Sequence, residues 1–182
     1  MILTVDIGNT IIAVGGFEGD MLAFVVRLAT NIKETSHEYA AKLDSILRLS
    51  DTKTHSLTAA VISSVVPQLT GTIREALKIA FGIDALSVGP GVKTGINIHC
   101  DDPSSVGADL ICVSVAAAKK YGSPCIIVDM GTATKIIHLG KNGTFEGVAI
   151  LPGAEISLSA LADRTAQLPH IALTAPDSAI GK

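Results

Sequence analysis

The stretch that decides the fold is Leu3-Thr4-Val5-Asp6-Ile7-Gly8, which returns later in the chain as Ile126-Ile127-Val128-Asp129-Met130-Gly131. The two aspartates lie 123 positions apart. After each copy come small or polar residues, an apolar strand, a turn and a further strand. This repetition predicts a duplicated α/β domain. We place the domains at residues 1–98 and 99–182, with the boundary in the polar stretch 97–103.

Hydrophobic periodicity predicts the secondary elements between and within these copies. We expect strands at 1–6, 11–17, 21–28, 57–66 and 85–88, and then at 125–131 and 145–151 in the second copy. Helical spacing of apolar residues predicts helices at 36–49, 70–81 and 104–121, and a further helix that begins near 152–154. Ser36 is a suitable N-cap for the first helix.

Composition excludes several classes of function. The chain has 182 residues, of which 48% are apolar and 17% charged, so it can bury a substantial core. A net charge of −3 and an aromatic content of 3% disfavour nucleic-acid binding. Mean hydropathy is +0.48, yet no apolar run reaches the roughly 20 residues that a membrane span needs. The start MILTVDIGNT lacks the basic region of a signal peptide.

The cysteines and histidines give no sign of a structural metal or a disulfide framework. Cys100, Cys112 and Cys125 are odd in number and unpaired in spacing, which indicates a reducing, cytoplasmic environment. Cys112 and Cys125 are expected to be small buried hydrophobes. The five histidines are scattered, and no pair of them has metal-ligand spacing.

Each copy of the opening stretch ends in a candidate phosphate-binding hairpin. In the first, Gly8 permits close backbone approach to a ligand, and Asn9 and Thr10 offer side-chain donors beside Asp6. In the second, Gly131 is followed by the hydroxyls of Thr132 and Thr134. Each hairpin taken alone favours a polar β-turn, in which Asp and Asn bond their own backbone. Two of them on duplicated domains could face each other across a cleft and hold a polyphosphate.

Other motifs leave two interpretations open. The loop Gly89-Pro90-Gly91-Val92-Lys93-Thr94-Gly95 is either an anion cradle or a solvated linker. Asp109, in an otherwise apolar stretch, either lies on the solvated start of a helix or accepts a proton from a substrate hydroxyl. Gly153 either lets a helix N-terminus approach a ligand or tightens a turn. Neither a Walker motif nor a G-x-G-x-x-G fingerprint is present.

The ordered motifs carry a family resemblance. They are Asp6-x-Gly8-Asn9-Thr10, the 89–95 loop, Gly107-Ala108-Asp109, Asp129-x-Gly131-Thr132-Ala133-Thr134, Pro152-Gly153 and Arg164-Thr165-Ala166-Gln167-Leu168-Pro169. Together they resemble the type III pantothenate kinases over residues 1–182. The resemblance implies an α/β fold of duplicated actin-like ATPase (ribonuclease H-like) domains with ATP between them, the second domain being incomplete here. It also implies phosphorylation of pantothenate to 4′-phosphopantothenate, the first step of coenzyme A synthesis.

The resemblance also implies roles for individual residues. Asp109 would be the general base, Asp6 would place Mg²⁺, and Asp129 would hold a monovalent cation, K⁺ or NH₄⁺. ATP would contact Asp6, Ile7, Gly8, Asn9, Thr10, Ile11, Ile12, Ala13 and Thr132. Pantothenate would contact Cys100, Gly107, Ala108, Asp109 and Leu110. The protein would be a cytoplasmic homodimer whose partners are pantothenate and ATP, without nucleic acid or membrane.

The sequence departs from the family pattern at four internal positions. Leu110 stands where many members have arginine, Cys100 where many have tyrosine, Ile11 where a polar residue is common, and Lys135 where threonine is common. Ile180-Gly181-Lys182 matches a motif that normally continues, so we expect a truncated chain. Two other hypotheses remain at this stage: a degenerate nucleotide-binding or regulatory protein of the same fold, and a related kinase or phosphatase that acts on a sugar or acetate.

Overall fold

The first half of the chain forms a five-stranded mixed sheet. The structure, a computed structural model, describes residues 1–50, 57–175, 178 and 180. Strands β1 (Ile2–Ile7), β2 (Ile11–Glu18) and β3 (Met21–Ala29) form an antiparallel meander. Strands β4 (Ala59–Ser64) and β5 (Leu86–Ser87) extend it in parallel, giving the order β3-β2-β1-β4-β5. The two-residue turn Gly19-Asp20 joins β2 to β3, and Gly19 has a φ of +60°.

Two helices cover one face of this sheet. Helix α1 (Ser36–Leu49) has the predicted bounds, but its N-cap is Thr35, so the assignment of Ser36 was wrong. Thr35 and Glu38 form a reciprocal capping box, which satisfies two backbone N–H groups that Ser36 could not reach. Helix α2 (Pro67–Phe81) begins three residues before the predicted start, because proline is well suited to the first helical turn.

The second half repeats the meander. Helix α3 (Ala108–Tyr121) precedes β6 (Cys125–Met130), β7 (Ala133–Leu139) and β8 (Phe145–Pro152), which form an antiparallel sheet in that order. Helix α4 (Ala154–Arg164) follows. The predicted helix 104–121 starts later than expected because residues 103–105 form a separate 3₁₀ turn, capped by Asp102. Helix α3 packs against β4 of the first sheet and against β6 and β7 of the second.

The two copies of the repeat differ in what covers them. In the first, Leu3, Val5 and Ile7 are at most 1% exposed, in one cluster with side chains of α1 and α2. Burial of each such side chain stabilises the fold by about 1.5–3 kcal/mol. At the equivalent positions of the second copy, Ile126, Val128 and Met130 are 60%, 58% and 75% exposed. The duplication therefore extends to the order and pairing of the strands, but not to their helical covering.

The connection between the halves joins the second sheet early. The backbone N–H of His99 donates to the carbonyl of Phe145, and the N–H of Phe145 donates to the carbonyl of Asn97, both at 2.8 Å. Ile96 and Ile98 pack against the second hydrophobic cluster. The chain therefore belongs to the second packing unit by about Ile96, and the division at 98/99 stays a prediction from sequence.

In the described part of the chain, no helix combines the length and the apolar character that a bilayer crossing demands.

Candidate active site

The turn between β1 and β2 is fixed by hydrogen bonds from two directions. The N–H of Gly8 donates to the carbonyl of Ile11 at 3.0 Å. Thr30, just beyond β3, donates its hydroxyl to the Gly8 carbonyl at 2.7 Å and its N–H to the Thr10 carbonyl at 2.9 Å. A Cβ at Gly8 would lie 3.0 Å from the Ile11 oxygen, which is tighter than ordinary contact. The turn thus holds Asn9 and Thr10 exposed at the end of the hairpin.

The second hairpin, between β6 and β7, is held by the start of α4. The N–H of Gly153 donates to the carbonyl of Thr132 at 3.0 Å. A Cβ at Gly153 would lie 2.2 Å from the Gly131 oxygen and 2.4 Å from the Thr132 oxygen. Only glycine fits this approach, so the role of Gly153 is to bring the helix N-terminus against the hairpin. This contact is between protein atoms, and an approach of the helix N-terminus to a ligand stays a prediction.

The two hairpins meet. The hydroxyl oxygens of Thr10 and Thr132 lie 3.1 Å apart and share a hydrogen bond across the two copies of the repeat. Beside this contact is an open cleft of about 540 Å³, lined by both threonines and by one face of α4. The predicted facing arrangement of the hairpins is therefore present in the structure, beside an open groove.

Helix α4 contributes residues that sequence reasoning missed. Its cleft-facing side chains are two adjacent stripes with four-residue spacing: Glu155, Ser159 and Asp163, then Ile156, Ala160 and Arg164. This spacing places each stripe on one face of a helix. The periodic polar stripe was the available signal. The stripe lines the cleft because α4 docks closely on the second hairpin at Gly153, and the sequence does not reveal that docking.

A cluster of carboxylates lies at the junction of the two halves, and Lys135 is bound within it. The ammonium Nζ of Lys135 donates to Oδ2 of Asp109 and to Oδ2 of Asp129, both at 2.8 Å. The side chains of Lys135, Asp109 and Asp129 are 22%, 18% and 38% exposed. Asp129 and Lys135 are cross-strand partners on β6 and β7, whereas Asp109 comes from the first turn of α3.

The carboxyl group of Asp6, near this cluster, has a raised pKa. The carboxyl group of Asp6 is reachable from solvent, but the surrounding protein partly desolvates it and raises its pKa above 3.8. The buried Ser63 hydroxyl opposes this shift, and the negative charges of Asp109 and Asp129 add to it. Asp6 is therefore a carboxylate with incomplete compensation inside the protein.

Lys135 is charged in this environment. Burial acts to lower its pKa, but the hydrogen bonds from Nζ to Asp109 and Asp129 outweigh burial, and the pKa is raised.

Burial raises the pKa of the Cys112 thiol, which is half-buried. Cys112 and Cys125 are thus only partly buried, short of the complete burial that the sequence suggested.

The start of α3 is shaped around Asp109. Gly107 is the N-cap residue, and a Cβ there would lie 2.5 Å from Oδ1 of Asp109. Glycine at 107 therefore leaves room for the carboxylate to fold back over the helix start, where the helix dipole favours negative charge. Oδ2 holds Lys135, and Oδ1 takes no part in that ion pair.

Other residues named from the sequence occupy varied positions. Ile7 and Ile12 are fully buried register partners, so only their backbone is available to a nucleotide. Leu110 is 6% exposed within the second hydrophobic cluster, and Ala108 is 9% exposed. Cys100 is half-buried. Lys93 is exposed in its loop, and the ion pairs seen among the described residues do not include it.

Solved structures with a similar fold support the architecture. A protein of Campylobacter jejuni, described as a Baf family transcriptional activator, matches 99% of this chain over 68% of its own, with a TM-score of 0.54 and 18% identity. A protein of Sinorhizobium meliloti, described as a 2-dehydro-3-deoxygalactonokinase, matches 91% of this chain over 57% of its own, with a TM-score of 0.55 and 16% identity. At these identities the likeness concerns the fold. Two meanders whose hairpins meet at a cleft give the chain the actin-like ATPase fold.

Sequence relatives narrow the class. The family model described as type III pantothenate kinase matches residues 2–182. Type III pantothenate kinases of Shouchella clausii and Finegoldia magna are 43% and 44% identical to the whole chain, which spans 72% and 69% of their lengths. That of Bifidobacterium longum is 38% identical, and the chain spans 71% of it. The chain belongs to the type III pantothenate kinase family.

Proposed function

We propose that the cleft between the two hairpins binds ATP and that its γ-phosphoryl group passes to the hydroxyl of pantothenate, giving 4′-phosphopantothenate and ADP. The family to which the chain belongs supports this activity, the first step of coenzyme A biosynthesis. The single observation that carries the assignment of the site is the contact between Thr10 and Thr132. It brings two glycine-containing turns together where their N–H groups and hydroxyls can surround phosphate oxygens.

The nucleotide would lie along α4. Its phosphates would face the hairpin residues from Asp6 to Ala13 together with Thr132. The stripe of Glu155, Ser159 and Asp163 offers acceptors suited to the hydroxyl and amino groups of a nucleoside, rather than to phosphates. Arg164 is the cation among the cleft-lining residues and can pair with a phosphate.

The residues present fit a divalent metal that enters with ATP. A kinase of this family uses ATP and a divalent cation. Mg²⁺ usually binds through one or two carboxylates plus substrate phosphates. Asp6, whose pKa is raised chiefly by burial and further by neighbouring carboxylates, is the carboxylate that such a cation would stabilise. When bound, the cation offsets phosphate charge as the bond to the leaving group breaks.

Asp109 is proposed as the general base. As the pantothenate hydroxyl oxygen forms its bond to the γ-phosphorus, the bond from that phosphorus to the bridging oxygen of ADP breaks. The hydroxyl proton passes to Asp109, and Oδ1 is the oxygen outside the ion pair with Lys135. Gly107, Ala108, Leu110 and Cys100 would surround the substrate. Leu110 is buried, so it would contribute by supporting the backbone of α3 rather than by contacting the substrate with its side chain.

The experiment for this role is Asp109→Asn, assayed by ADP release coupled to a spectrophotometric signal, with and without pantothenate. General-base catalysis contributes about 10²–10⁴-fold, so turnover should fall by at least about 100-fold. Asp84→Asn, at an exposed ion pair, is the matched control and should retain wild-type turnover. Circular dichroism checks that both variants fold. Undiminished turnover in Asp109→Asn would remove Asp109 from the mechanism.

Three finer expectations belong to the same proposal. A homodimer rests on the family resemblance alone, and light scattering during size-exclusion chromatography tests it. A cytoplasmic location likewise stays a prediction. The third expectation, K⁺ or NH₄⁺ at Asp129, meets a specific structural fact, since Asp129 already holds the ammonium group of Lys135.

A further inference from the structure

Two carboxylates, those of Asp109 and Asp129, and the ammonium group of Lys135 lie together at the junction of the two halves. Asp6, Asp109 and Asp129 are close enough for each of the latter two to raise the pKa of the first. The γ-phosphate of ATP, which the proposed role of Asp109 brings to this cluster, would add further negative charge. Among the ion pairs of the described residues, those of Lys135 are the ones that reach this carboxylate cluster. Lys135 therefore offsets the negative charge of the carboxylates that the γ-phosphate would approach.

The position of this ammonium group is fixed by the fold. Lys135 is the register partner of Asp129 in the β6–β7 pair, which sets their side chains on the same face of the sheet. The third member, Asp109, comes from α3, which packs on both of these strands. Nζ lies 2.8 Å from one oxygen of each carboxylate, so two elements hold it from two sides.

A free monovalent cation does not fit at Asp129 in this arrangement. A cation at this carboxylate would share it with Lys135, whose ammonium already donates to Oδ2. A K⁺ ion on the same oxygen would lie beside a like charge in a half-buried place, where repulsion is poorly screened. The residues present thus disagree with the expectation of a bound K⁺ or NH₄⁺ ion.

We propose that Lys135 is a built-in monovalent cation, which replaces the free ion and makes ATP binding and phosphoryl transfer by this protein independent of K⁺ and NH₄⁺. The ammonium group lies between Asp109 and Asp129 and supplies one positive charge at a fixed point. Lys135 is a positioning residue, because it acts through the two carboxylates. The statement on phosphoryl transfer rests on the proposed function, and the statement on ATP binding needs only the nucleotide site.

The test compares salts at equal ionic strength. ATP affinity with Mg²⁺ is measured by isothermal titration calorimetry in choline chloride, KCl and NH₄Cl, for the wild-type protein and for Lys135→Thr. The wild type should bind equally in all three salts. The variant should bind about tenfold or more weakly in choline, as expected for loss of a half-buried charge, and should recover in KCl or NH₄Cl. Lys78→Thr, at an exposed ion pair of α2, is the matched control and should behave as wild type.

A second readout is the melting temperature without nucleotide. K⁺ or NH₄⁺ should raise it for Lys135→Thr relative to choline, and should leave the wild type and Lys78→Thr unchanged, because a ligand stabilises only a protein that binds it. The wild-type salt comparison also needs no variant to fold. Potassium-dependent ATP affinity in the wild type would overturn the proposal, and so would full ATP affinity of Lys135→Thr in choline.

These outcomes are separate from failure of the proposed function. If pantothenate is not phosphorylated but the salt pattern of ATP binding is as expected, the assignment of the substrate fails and the role of Lys135 stands. If pantothenate is phosphorylated and turnover of the wild type rises with K⁺, the kinase assignment stands and the role of Lys135 fails.

Discussion

The substitution Gly153→Ala tests whether the docking of α4 on the second hairpin forms the nucleotide cleft. A Cβ at this position would lie 2.2 Å from the Gly131 oxygen and 2.4 Å from the Thr132 oxygen. Both are backbone atoms, so neither can rotate away. The helix start must retreat until the shorter distance grows from 2.2 Å to at least 3.0 Å. The hydrogen bond from Gly153 N–H to Thr132, now 3.0 Å long, breaks during this retreat.

Gly153→Ala should lower both the free energy of unfolding and the affinity for ATP. Retention of the overpacked geometry would cost about 1–3 kcal/mol. Helix α4 has no buried side chain among its eleven residues, so it moves away rather than bear that strain. The free energy of unfolding should therefore fall by about 1 kcal/mol, the net value of the lost hydrogen bond. ATP affinity should fall by about tenfold, or 1.4 kcal/mol, because one wall of the cleft is displaced.

Urea denaturation measures the first effect and titration calorimetry with ATP measures the second. Gly71→Ala is the matched control, since a Cβ there meets no atom within 4 Å and the residue is inside α2. It should stabilise the protein by up to about 1 kcal/mol and leave ATP affinity unchanged. Wild-type ATP affinity in Gly153→Ala would refute the inference that this contact builds the site.

Three further predictions concern single residues. Thr35→Ala removes the capping box of α1 and should lower the free energy of unfolding by about 0.5–2 kcal/mol in urea titrations, with ATP affinity unchanged. Asp6→Asn should raise stability at pH 7 in thermal melts, and the gain should vanish below about pH 3.8: the folded state raises the pKa of this carboxyl, so its ionisation destabilises the fold only at higher pH. The same variant should lose magnesium-dependent ATP binding in calorimetry, and unchanged binding would exclude the metal role. Thr132→Val keeps the side-chain shape but removes the hydroxyl that meets Thr10, so calorimetry should show weaker ATP binding at nearly constant stability.

The repeat is the part of the fold that the sequence predicts best. Each copy has an apolar strand, a turn and a second apolar strand in the same order, and this pattern can be identified from the local sequence alone. The boundaries depend on finer chemistry. Thr35-x-x-Glu38 is a capping signature that the sequence contains and that outcompetes Ser36. The 3₁₀ turn at 103–105 depends on Asp102, whose carboxylate accepts from the Ser104 N–H at 3.0 Å.

The candidate site, like the fold, can be predicted from the sequence only in part. The turns with Gly8 and Gly131 are visible in the sequence because glycine and polar residues follow an apolar strand. The ion pairs of Lys135 are not visible, since one partner lies 26 positions away and meets it only through the packing of α3 on β7. The uncovered face at Ile126, Val128 and Met130 is equally hidden, because an apolar strand gives no sign of whether helices cover both of its faces.

The most direct test of the central claim follows the phosphorus atoms themselves. The protein is incubated with Mg²⁺, ATP and pantothenate, and ³¹P NMR spectra are recorded over time, with a parallel sample that lacks pantothenate. We predict a new phosphomonoester resonance that grows in step with ADP, and only when pantothenate is present. An ATP spectrum unchanged by pantothenate, or conversion of ATP to ADP and inorganic phosphate at the same rate without it, would contradict the assignment of a pantothenate kinase site.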